Sequence, residues 1–502
     1  MTTEAARKTG LFAKFSSLTF VLLLLLAGGS VGLITTHAAG TPTLQYGPTI
    51  LSGSATTAKE PAVSTSSTGS DVYVAWTQGS GGIYFVMSTN GGSSFSSPMK
   101  ISVSGGTAQF PVMITGDGYS PANAGDVYVA WVQTVSGKLQ PFVSVSTNNG
   151  ASFKTTQLST AGGITPTLAA AGSDVYVTWY QTTSCPATAL NKAPTEACIY
   201  VDSSSNNGGT WATPVELNPS TKGEAQVVAS GSYAYVTADG TYFSSFGLNG
   251  TWTGSGSKST GWTTPEQVYG FYTIGGTTSF GREPWIAASG LDVYITFNAI
   301  DLSTTSTYRI YGLTSDNGGA TWYSGTSTSS SNLVTSFPPV ITTTAQQKKF
   351  LMSGTVSNDW EPENVASGTN AVMTFHSLAN QGVYITSTTN GGSSWSTPVQ
   401  IPSQAKGTSA YAHIFTSDGV NDWVMWGQVK SGSVWNAYVS YSGNSGSSWS
   451  TPLDISNNAA GVAAGNQDVT LFWVSSIGAT CFAVYTYTSG STSQVWFSSA
   501  VA

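Results

Sequence analysis

The stretch Ser88–Phe95 (STNGGSSF) decides the fold, because its pattern recurs along the chain with constant internal spacing. The shared pattern is Ser/Thr-x-Asn-x-Gly-x-x-aromatic. Its six copies are Ser88–Phe95, Ser146–Phe153, Ser204–Trp211, Ser315–Trp322, Thr388–Trp395 and Ser442–Trp449. An Asn side chain can bond backbone amides in a tight turn, Gly can take positive φ, and an aromatic residue can begin the next strand and pack on a neighbour. The motif therefore predicts a hairpin turn repeated around an array.

Other recurrent stretches surround each turn. A run typical of a strand buried on both faces precedes it, because β-branched and aromatic residues dominate. The clearest copies of this run are Asp71–Trp76, Asp126–Trp131, Asp174–Trp179 and Asp292–Phe297. A short apolar strand that often starts at Pro comes before this run, and a strand with a Ser/Thr-Pro signature follows the turn. One unit therefore contains four short strands.

Four-stranded units in radial repetition predict an all-β fold, the β-propeller. Units start near residues 60, 110, 165, 225, 283, 361 and 410, and the tail supplies three strands of another. The strand missing from the tail is found at the other end of the chain, where Tyr46–Ser52 resembles the Ser/Thr-Pro strand. Pairing the two ends would remove an exposed edge. We expect eight blades closed in this way, with seven as the alternative.

The composition excludes several functional classes. Only 8% of the 502 residues are charged and the net charge is −7, which argues against a nucleic-acid partner. Three histidines and three cysteines are too few for a metal or haem protein rich in these ligands. We expect no cofactor, with Ca²⁺ bound by carboxylates as the one possibility.

The N-terminus has the pattern of a targeting segment. Arg7, Lys8 and Lys14 are followed by an apolar run from Phe15 to Ile34 and then by small residues. This pattern predicts a signal peptide over residues 1–38, or else a retained N-terminal membrane anchor. Both alternatives place the propeller of residues 41–502 outside the cell, secreted or on the cell surface.

The turn motif resembles the Asp-box, or bacterial neuraminidase repeat, of sialidases and other secreted propellers, although Asn stands here where that family usually has Asp. The resemblance covers the chain from about residue 41 to its end and implies a sialidase-like propeller. Sialidases hold their substrate's carboxylate with three arginines, the first in an Arg-x-Pro motif. After Arg7 this chain has only Arg282, which lies in Arg282-Glu283-Pro284, and Arg309. The resemblance therefore implies the fold and argues against ordinary sialidase chemistry.

Carboxylates at the starts of the first strands form the first candidate site. These strand starts lie on the face opposite the turns, around the central channel, which is the ligand face in propellers of the resembled family. The set consists of Glu60, Glu224, Glu283 and Glu361, with Asp468 in an analogous place. Such a collar could bind Ca²⁺ or a cationic group, and Glu283, Glu361 or Glu224 could hydrolyse a glycosidic bond. The alternative is that each is a solvated residue at a strand start.

Amides and aromatic rings on the same face provide two further sets. Gln78, Gln133, Gln181 and Gln428 each follow the second strand's Trp by two residues and could bond sugars or simply a loop backbone. Residues 266–282 bring Tyr269, Phe271, Tyr272 and Phe280 next to Arg282, and residues 336–360 bring Trp360. Aromatic rings beside a few polar groups suit a sugar or protein ligand, or else they pack the loops onto the propeller.

Cysteine use agrees with an oxidising compartment. Cys185 and Cys198 flank a short insertion and are expected to form a disulfide, whereas Cys481 is left over.

Three functions remain open. The leading hypothesis is a propeller that binds a glycan or cell-surface protein on the channel-mouth face without sialidase chemistry. The alternatives are a divergent glycoside hydrolase using channel-mouth carboxylates and a structural component of the cell envelope.

Overall fold

The structure is a computed structural model of the chain. It describes residues 40–53, 57–79, 81–116, 125–181, 198–218, 225–239, 251–257, 261–262, 266–270, 272–304, 306–336, 339–356, 359–380, 382–402, 410–431, 434–456, 467–489 and 491–502. The helices whose bounds lie within these ranges are a short α1 (Thr344–Lys348) and a 3-10 turn (Ser330–Asn332). No helix within these ranges is long and apolar enough to cross a membrane.

The first strand, β1 (Thr43–Ile50), belongs to the last sheet and is described with it. The next four sheets, numbered as blades, consist of strands that follow one another in the chain. Blade 1 contains β2 (Ala58–Thr65), β3 (Val72–Gln78), β4 (Gly82–Ser88) and β5 (Met99–Lys100). Blade 2 contains β6 (Ala108–Thr115), β7 (Val127–Val135), β8 (Lys138–Ser146) and β9 (Lys154–Gln157). Blade 3 contains β10 (Ile164–Ala171), β11 (Asp174–Gln181), β12 (Cys198–Ser204) and β13 (Val215–Asn218). Blade 4 contains β14 (Ala225–Ser230), β15 (Tyr233–Asp239), β16 (Thr251–Ser257), β17 (Gly261–Trp262) and β18 (Glu266–Tyr269).

Three more sheets of consecutive strands follow a small hairpin, β19 (Tyr272–Ile274) and β20 (Thr277–Ser279). Blade 5 contains β21 (Arg282–Ser289), β22 (Asp292–Ile300), β23 (Tyr308–Ser315), β24 (Trp322–Ser324) and β25 (Leu333–Val334). Blade 6 contains β26 (Asp359–Ser367), β27 (Asn370–Ser377), β28 (Gly382–Thr388) and β29 (Val399–Gln400). Blade 7 contains β30 (Ala410–Ser417), β31 (Asp422–Ser431), β32 (Val434–Ser442) and β33 (Leu453–Asp454).

The two ends of the chain share the remaining sheet, blade 8. It contains β34 (Gln467–Ile477), β35 (Thr480–Ser489) and β36 (Thr492–Val501), with β1 antiparallel to β36 and Ile50 opposite Trp496. The first strands of all the blades contact one another in sequence, and β34 contacts β2, so the ring is closed. The predicted propeller of four-stranded blades and its closure by the N-terminal strand are confirmed.

The core lies between neighbouring blades rather than at one centre. The second strands are buried on both faces, and the indoles of Trp76, Trp131 and Trp179 have no exposed surface. Separate apolar clusters fill the gaps between adjacent blades, including the gap between blades 8 and 1. Truncating a buried Trp of this kind to Ala costs about 3–5 kcal/mol. The second-strand repeat therefore builds the contacts that hold the ring together.

The Asn/Gly turn has the structure that its sequence predicted. In the first copy, the Ser88 hydroxyl accepts from the Gly92 N–H at 2.9 Å and donates to Asn90 Oδ1 at 2.8 Å. Asn90 Oδ1 also accepts from the Ser94 N–H at 2.9 Å, and its amide donates to the Ser94 hydroxyl at 2.8 Å. The other five copies repeat this network.

Each turn also fastens its blade to the preceding one. A Cβ on Gly92 would lie 2.4 Å from the ring of Phe497 in blade 8, so only glycine fits this close approach. The turn's aromatic residue, Phe95, meets the same ring edge-to-face at 4.8 Å. Phe153 of blade 2 packs in the same way on Phe85 of blade 1, also at 4.8 Å. The turns therefore have a structural role on the face opposite the candidate site.

Candidate functional site

A backbone distortion recurs where the first strands begin. The residue before Pro has positive φ at Glu60 (56°), Phe110 (57°), Thr165 (45°), Glu283 (48°) and Glu361 (51°), and a break in register interrupts each pairing there. A residue before Pro ordinarily adopts an extended conformation, and positive φ costs a non-glycine residue about 1–3 kcal/mol. Bulges of this kind redirect a side chain. In blades 1, 2, 3, 5 and 6 this feature therefore redirects one side chain at the start of the first strand.

Glu60 is used within the protein. Its Oε2 accepts from the Thr77 hydroxyl at 2.8 Å and from the Phe110 N–H of blade 2 at 2.9 Å, and its Oε1 lies 2.9 Å from Lys59 Nζ. The side chain is only 8% exposed. Glu60 therefore joins blades 1 and 2, contrary to its expected place in a ligand site.

Glu283 and Glu361 have different surroundings. They occupy equivalent positions in the adjacent blades 5 and 6, whose first strands contact each other, and both are exposed. The Asn298 amide donates a short hydrogen bond to Glu283 Oε2. Burial raises the pKa of Glu361, and the nearby charge of Glu283 raises it further. The two carboxyl groups are therefore close enough to influence each other's ionisation.

A stack of rings and one guanidinium lies beside these two glutamates. Arg282 places its guanidinium 4.3 Å from the centre of the Phe280 ring and 5.9 Å from that of Tyr308. The Tyr308 ring in turn lies 4.2 Å from the Trp360 ring, tilted by 37°. Trp360 is partly exposed, and its buried Nε1 has no hydrogen-bond partner in the described part of the chain. We call Phe280, Arg282, Glu283, Tyr308, Trp360 and Glu361 the blade 5/6 site.

The other arginine of the propeller is used in structure. Arg309 Nη1 donates to the Gly354 carbonyl at 2.8 Å, and its Nε lies 3.6 Å from Asp301 Oδ2. Arg309 therefore links β23 of blade 5 to the segments that contain Gly354 and Asp301.

The glutamine set has internal partners. The Trp76 indole donates to Gln78 Oε1 at 2.8 Å, and the Trp426 indole donates to Gln428 Oε1 at 3.1 Å. Gln133 has no exposed surface, and its amide donates to the Val103 carbonyl at 3.0 Å. Gln181 is 3% exposed. The structure therefore corrects the interpretation of Gln133, Gln181 and Gln428 as surface ligands, because buried amides are not accessible to a sugar.

Two of the expected aromatic ligands are also internal. Tyr269 has no exposed surface, packs in the core between blades 4 and 5 and accepts a hydrogen bond from the Gln347 amide at 2.8 Å. The Tyr272 hydroxyl donates to the Pro339 carbonyl at 2.5 Å. These two rings pack the surrounding segments onto the propeller, and among the described aromatic residues of the predicted set Phe280 and Trp360 belong to the blade 5/6 site.

Some predictions lie outside the described residues. They concern Glu224, Phe271, Cys185 and the side chain of Asp468. Cys198 begins β12 and is buried, and its predicted pairing with Cys185 stays a prediction. Cys481 is a buried free cysteine, and burial raises the pKa of its thiol. Within the described ranges, no three His, Cys, Asp or Glu side chains form a group that could hold a metal ion, so the calcium collar gains no support.

Sequence reasoning missed Tyr308 and Asn298. Asn298 lies directly across the ladder from Arg282, and Tyr308 begins the third strand of the same blade. A signal for Asn298 was present, because residues opposite the x-Glu-Pro bulge can be found by strand alignment. No comparable repeat marked Tyr308.

No protein family and no curated protein sequence matches this chain. Similar solved structures include a protein of unknown function from Dyadobacter fermentans, at 11% identity and a TM-score of 0.39, with 92% of this chain and 98% of that one covered. Trypanosoma rangeli sialidase in complex with sialic acid is 9% identical with a TM-score of 0.37, and the match covers 80% of this chain and 55% of that one. The Hadza microbial sialidase Hz136 is 12% identical with a TM-score of 0.37, covering 85% and 73%. Likenesses this distant carry no argument about activity.

Proposed function

We propose that this propeller binds a glycan at the blade 5/6 site. The observation that carries the proposal is the ring stack of Tyr308 and Trp360 beside two exposed carboxylates on adjacent blades. Aromatic rings cover the apolar face of a sugar, and carboxylates accept hydrogen bonds from its hydroxyl groups.

A glycan array with the purified protein tests this proposal. We expect binding to a limited set of glycans, and we expect Trp360→Ala to abolish it without changing the melting temperature by more than a few degrees. Phe110→Ala is the control, because Phe110 is an exposed aromatic residue at the bulge of blade 2, one position after the residue that corresponds to Trp360. Binding that survives Trp360→Ala, or an array without any bound glycan, contradicts the proposal. Capture of a cell-surface protein after its glycans are removed would instead favour a protein ligand.

One observation favours hydrolysis as a second candidate. Burial and the charge of Glu283 both raise the pKa of Glu361, and glycoside hydrolysis needs one carboxyl group with a raised pKa to act as the acid. In this alternative Glu361 acts as the acid, and Glu283 acts as nucleophile or base. The assay is release of reducing ends from the glycans that bind. Loss of release with retained binding in Glu361→Gln would establish the enzyme, whereas bound glycans that stay intact for hours would exclude it.

We extend the proposal to location, with residues 1–38 as a signal peptide or anchor that delivers the propeller outside the cell. N-terminal sequencing of the protein from culture medium and from the cell envelope tests this. A fragment beginning near residue 39 in the medium supports cleavage, an intact N-terminus in the membrane fraction supports an anchor, and protein confined to the cytoplasm contradicts both.

A further inference from the structure

A third carboxyl group lies behind the two exposed ones. Glu363, two residues after Glu361 on β26, is 9% exposed, and its Oε2 has no hydrogen-bond partner in the described part of the chain. Burial raises the pKa of Glu363 well above its usual range, and the charge of Glu361 raises it further. Opposite Glu363 across the ladder, the Thr374 hydroxyl is also buried without a partner. Two buried polar groups near Glu361, the Glu363 Oε2 atom and the Thr374 hydroxyl, are therefore without a partner in the described residues.

No basic side chain in the described part of the chain pairs with Glu361. In the ranges that the structure describes, neither Glu361 nor Glu363 forms an ion pair, and the two ion pairs found there belong to Glu60 and Asp301. Lys349, which directly follows α1, is the basic residue nearest to Glu361 in the sequence before it. Its ammonium group donates to the Ser331 carbonyl at 3.0 Å. The Arg282 guanidinium lies over Phe280 and Tyr308. An occupant with a positive charge and hydrogen-bond donors would supply what the protein does not.

The neighbouring rings also suit a cation. An ammonium group is attracted to the face of an aromatic ring, and Trp is the most favourable ring for this contact. Trp360 and Glu361 are consecutive residues at the bulge of β26, so a ring and a carboxylate are presented together. An anionic sugar would meet two exposed carboxylates here with only one arginine nearby.

We propose that the glycan bound at the blade 5/6 site carries a protonated amino group, as in an oligosaccharide of de-N-acetylated hexosamine. This inference rests on the proposed glycan-binding function and names its ligand class. The ammonium group lies between Glu283 and Glu361, and the sugar ring covers Trp360. Acetylation of the amine removes both the charge and two N–H donors, so it weakens binding.

A matched pair of oligosaccharides tests the inference by titration calorimetry. We compare a hexamer of β-1,4-glucosamine with its fully N-acetylated counterpart at pH 6 and low salt. The free amine should bind at least tenfold more tightly, and raising the salt to about 0.5 M should shrink this preference, because screening weakens charge pairing. Glu361→Gln should remove most of the preference, whereas Glu60→Gln should keep it.

Each result decides a different point. Equal or tighter binding of the acetylated hexamer overturns the amine assignment and leaves the glycan proposal standing. If neither hexamer binds, the amine assignment also fails, and the array decides separately whether any glycan binds. If Glu361→Gln unfolds, the salt dependence of the wild-type preference still tests the inference. Tight binding of Ca²⁺ alone at this site, abolished by Glu361→Gln, would replace the ammonium group with a metal ion.

Discussion

Blade 1 and blades 5 and 6 use the same local sequence for different purposes. Each has a glutamate before Pro at the start of its first strand, with positive φ and the same bulge. In blade 1 the carboxylate of Glu60 is buried and bonded to Thr77, Lys59 and the Phe110 amide. In blades 5 and 6, Glu283 and Glu361 are exposed beside an aromatic stack.

The partner that makes the difference comes from another blade. The Phe110 N–H that Glu60 accepts is fifty residues away in sequence and belongs to the next blade of the ring. Near Glu283 and Glu361 lie the rings of Tyr308 and Trp360. A carboxylate at the repeated bulge can therefore be buried as an inter-blade link, as in blade 1, or exposed beside aromatic rings, as in blades 5 and 6.

The largest expected effect comes from the ring that only the blade 5/6 site has. Trp360→Ala should weaken glycan binding by about 30-fold or more, since a central aromatic contact contributes about 2 kcal/mol or more. Phe110→Ala should leave affinity within about twofold. Calorimetric titration of both variants gives the comparison, and similar losses in the two would show that the blades are equivalent after all.

The next largest effect concerns Asp359, a buried carboxyl group at the start of blade 6 that makes the stability of the protein depend on pH. Burial raises the pKa of Asp359 to about 7. The native state then keeps a proton that the unfolded chain releases above pH of about 4, so stability falls as pH rises from about 4 through 7. Asp359→Asn should remove on the order of 1–3 kcal/mol of the difference in unfolding free energy between pH 5 and pH 8. Urea unfolding at the two pH values measures it, and an unchanged difference would rule out this residue as the cause.

A comparable loss of stability, without loss of function, is expected in blade 1. Glu60→Gln keeps the shape but removes the charge that Lys59 and the Phe110 N–H face, so it should lower the free energy of unfolding by about 1–2 kcal/mol. Glycan affinity should be unchanged. Denaturation and array binding are measured on the same preparation. A loss of glycan binding in a variant that remains stable would show that Glu60 takes part in ligand binding.

The smallest effect should come from the turn face. Asn148→Ala removes the acceptor of Ser146 and of the Ser152 N–H, so about 1 kcal/mol of stability should be lost. Binding should be nearly intact, because the turn lies on the face opposite the channel mouth. Thermal unfolding and affinity measured side by side test this, and a stable variant that no longer binds would contradict the assignment of the turn as structural.

The sequence by itself determined the repeat, the turn and the closure. Each depends on local chemistry: Asn and Gly build the turn, β-branched and aromatic residues build the second strand, and the unpaired end strands complement each other. It also identified Arg282, Glu283, Trp360 and Glu361 as candidates, because they stand at repeated strand starts or in loops on that face.

Only the tertiary structure decided which candidates meet. Tyr269 and Gln133 carry the residue types of a binding site, yet they are buried between blades, where their partners come from distant segments. Tyr308 carries no repeat signal, yet it lies between Arg282 and Trp360. The local sequence pattern determines the strand position that a residue occupies. Its burial and its hydrogen-bond partners depend on the neighbouring blade, which the local pattern does not specify.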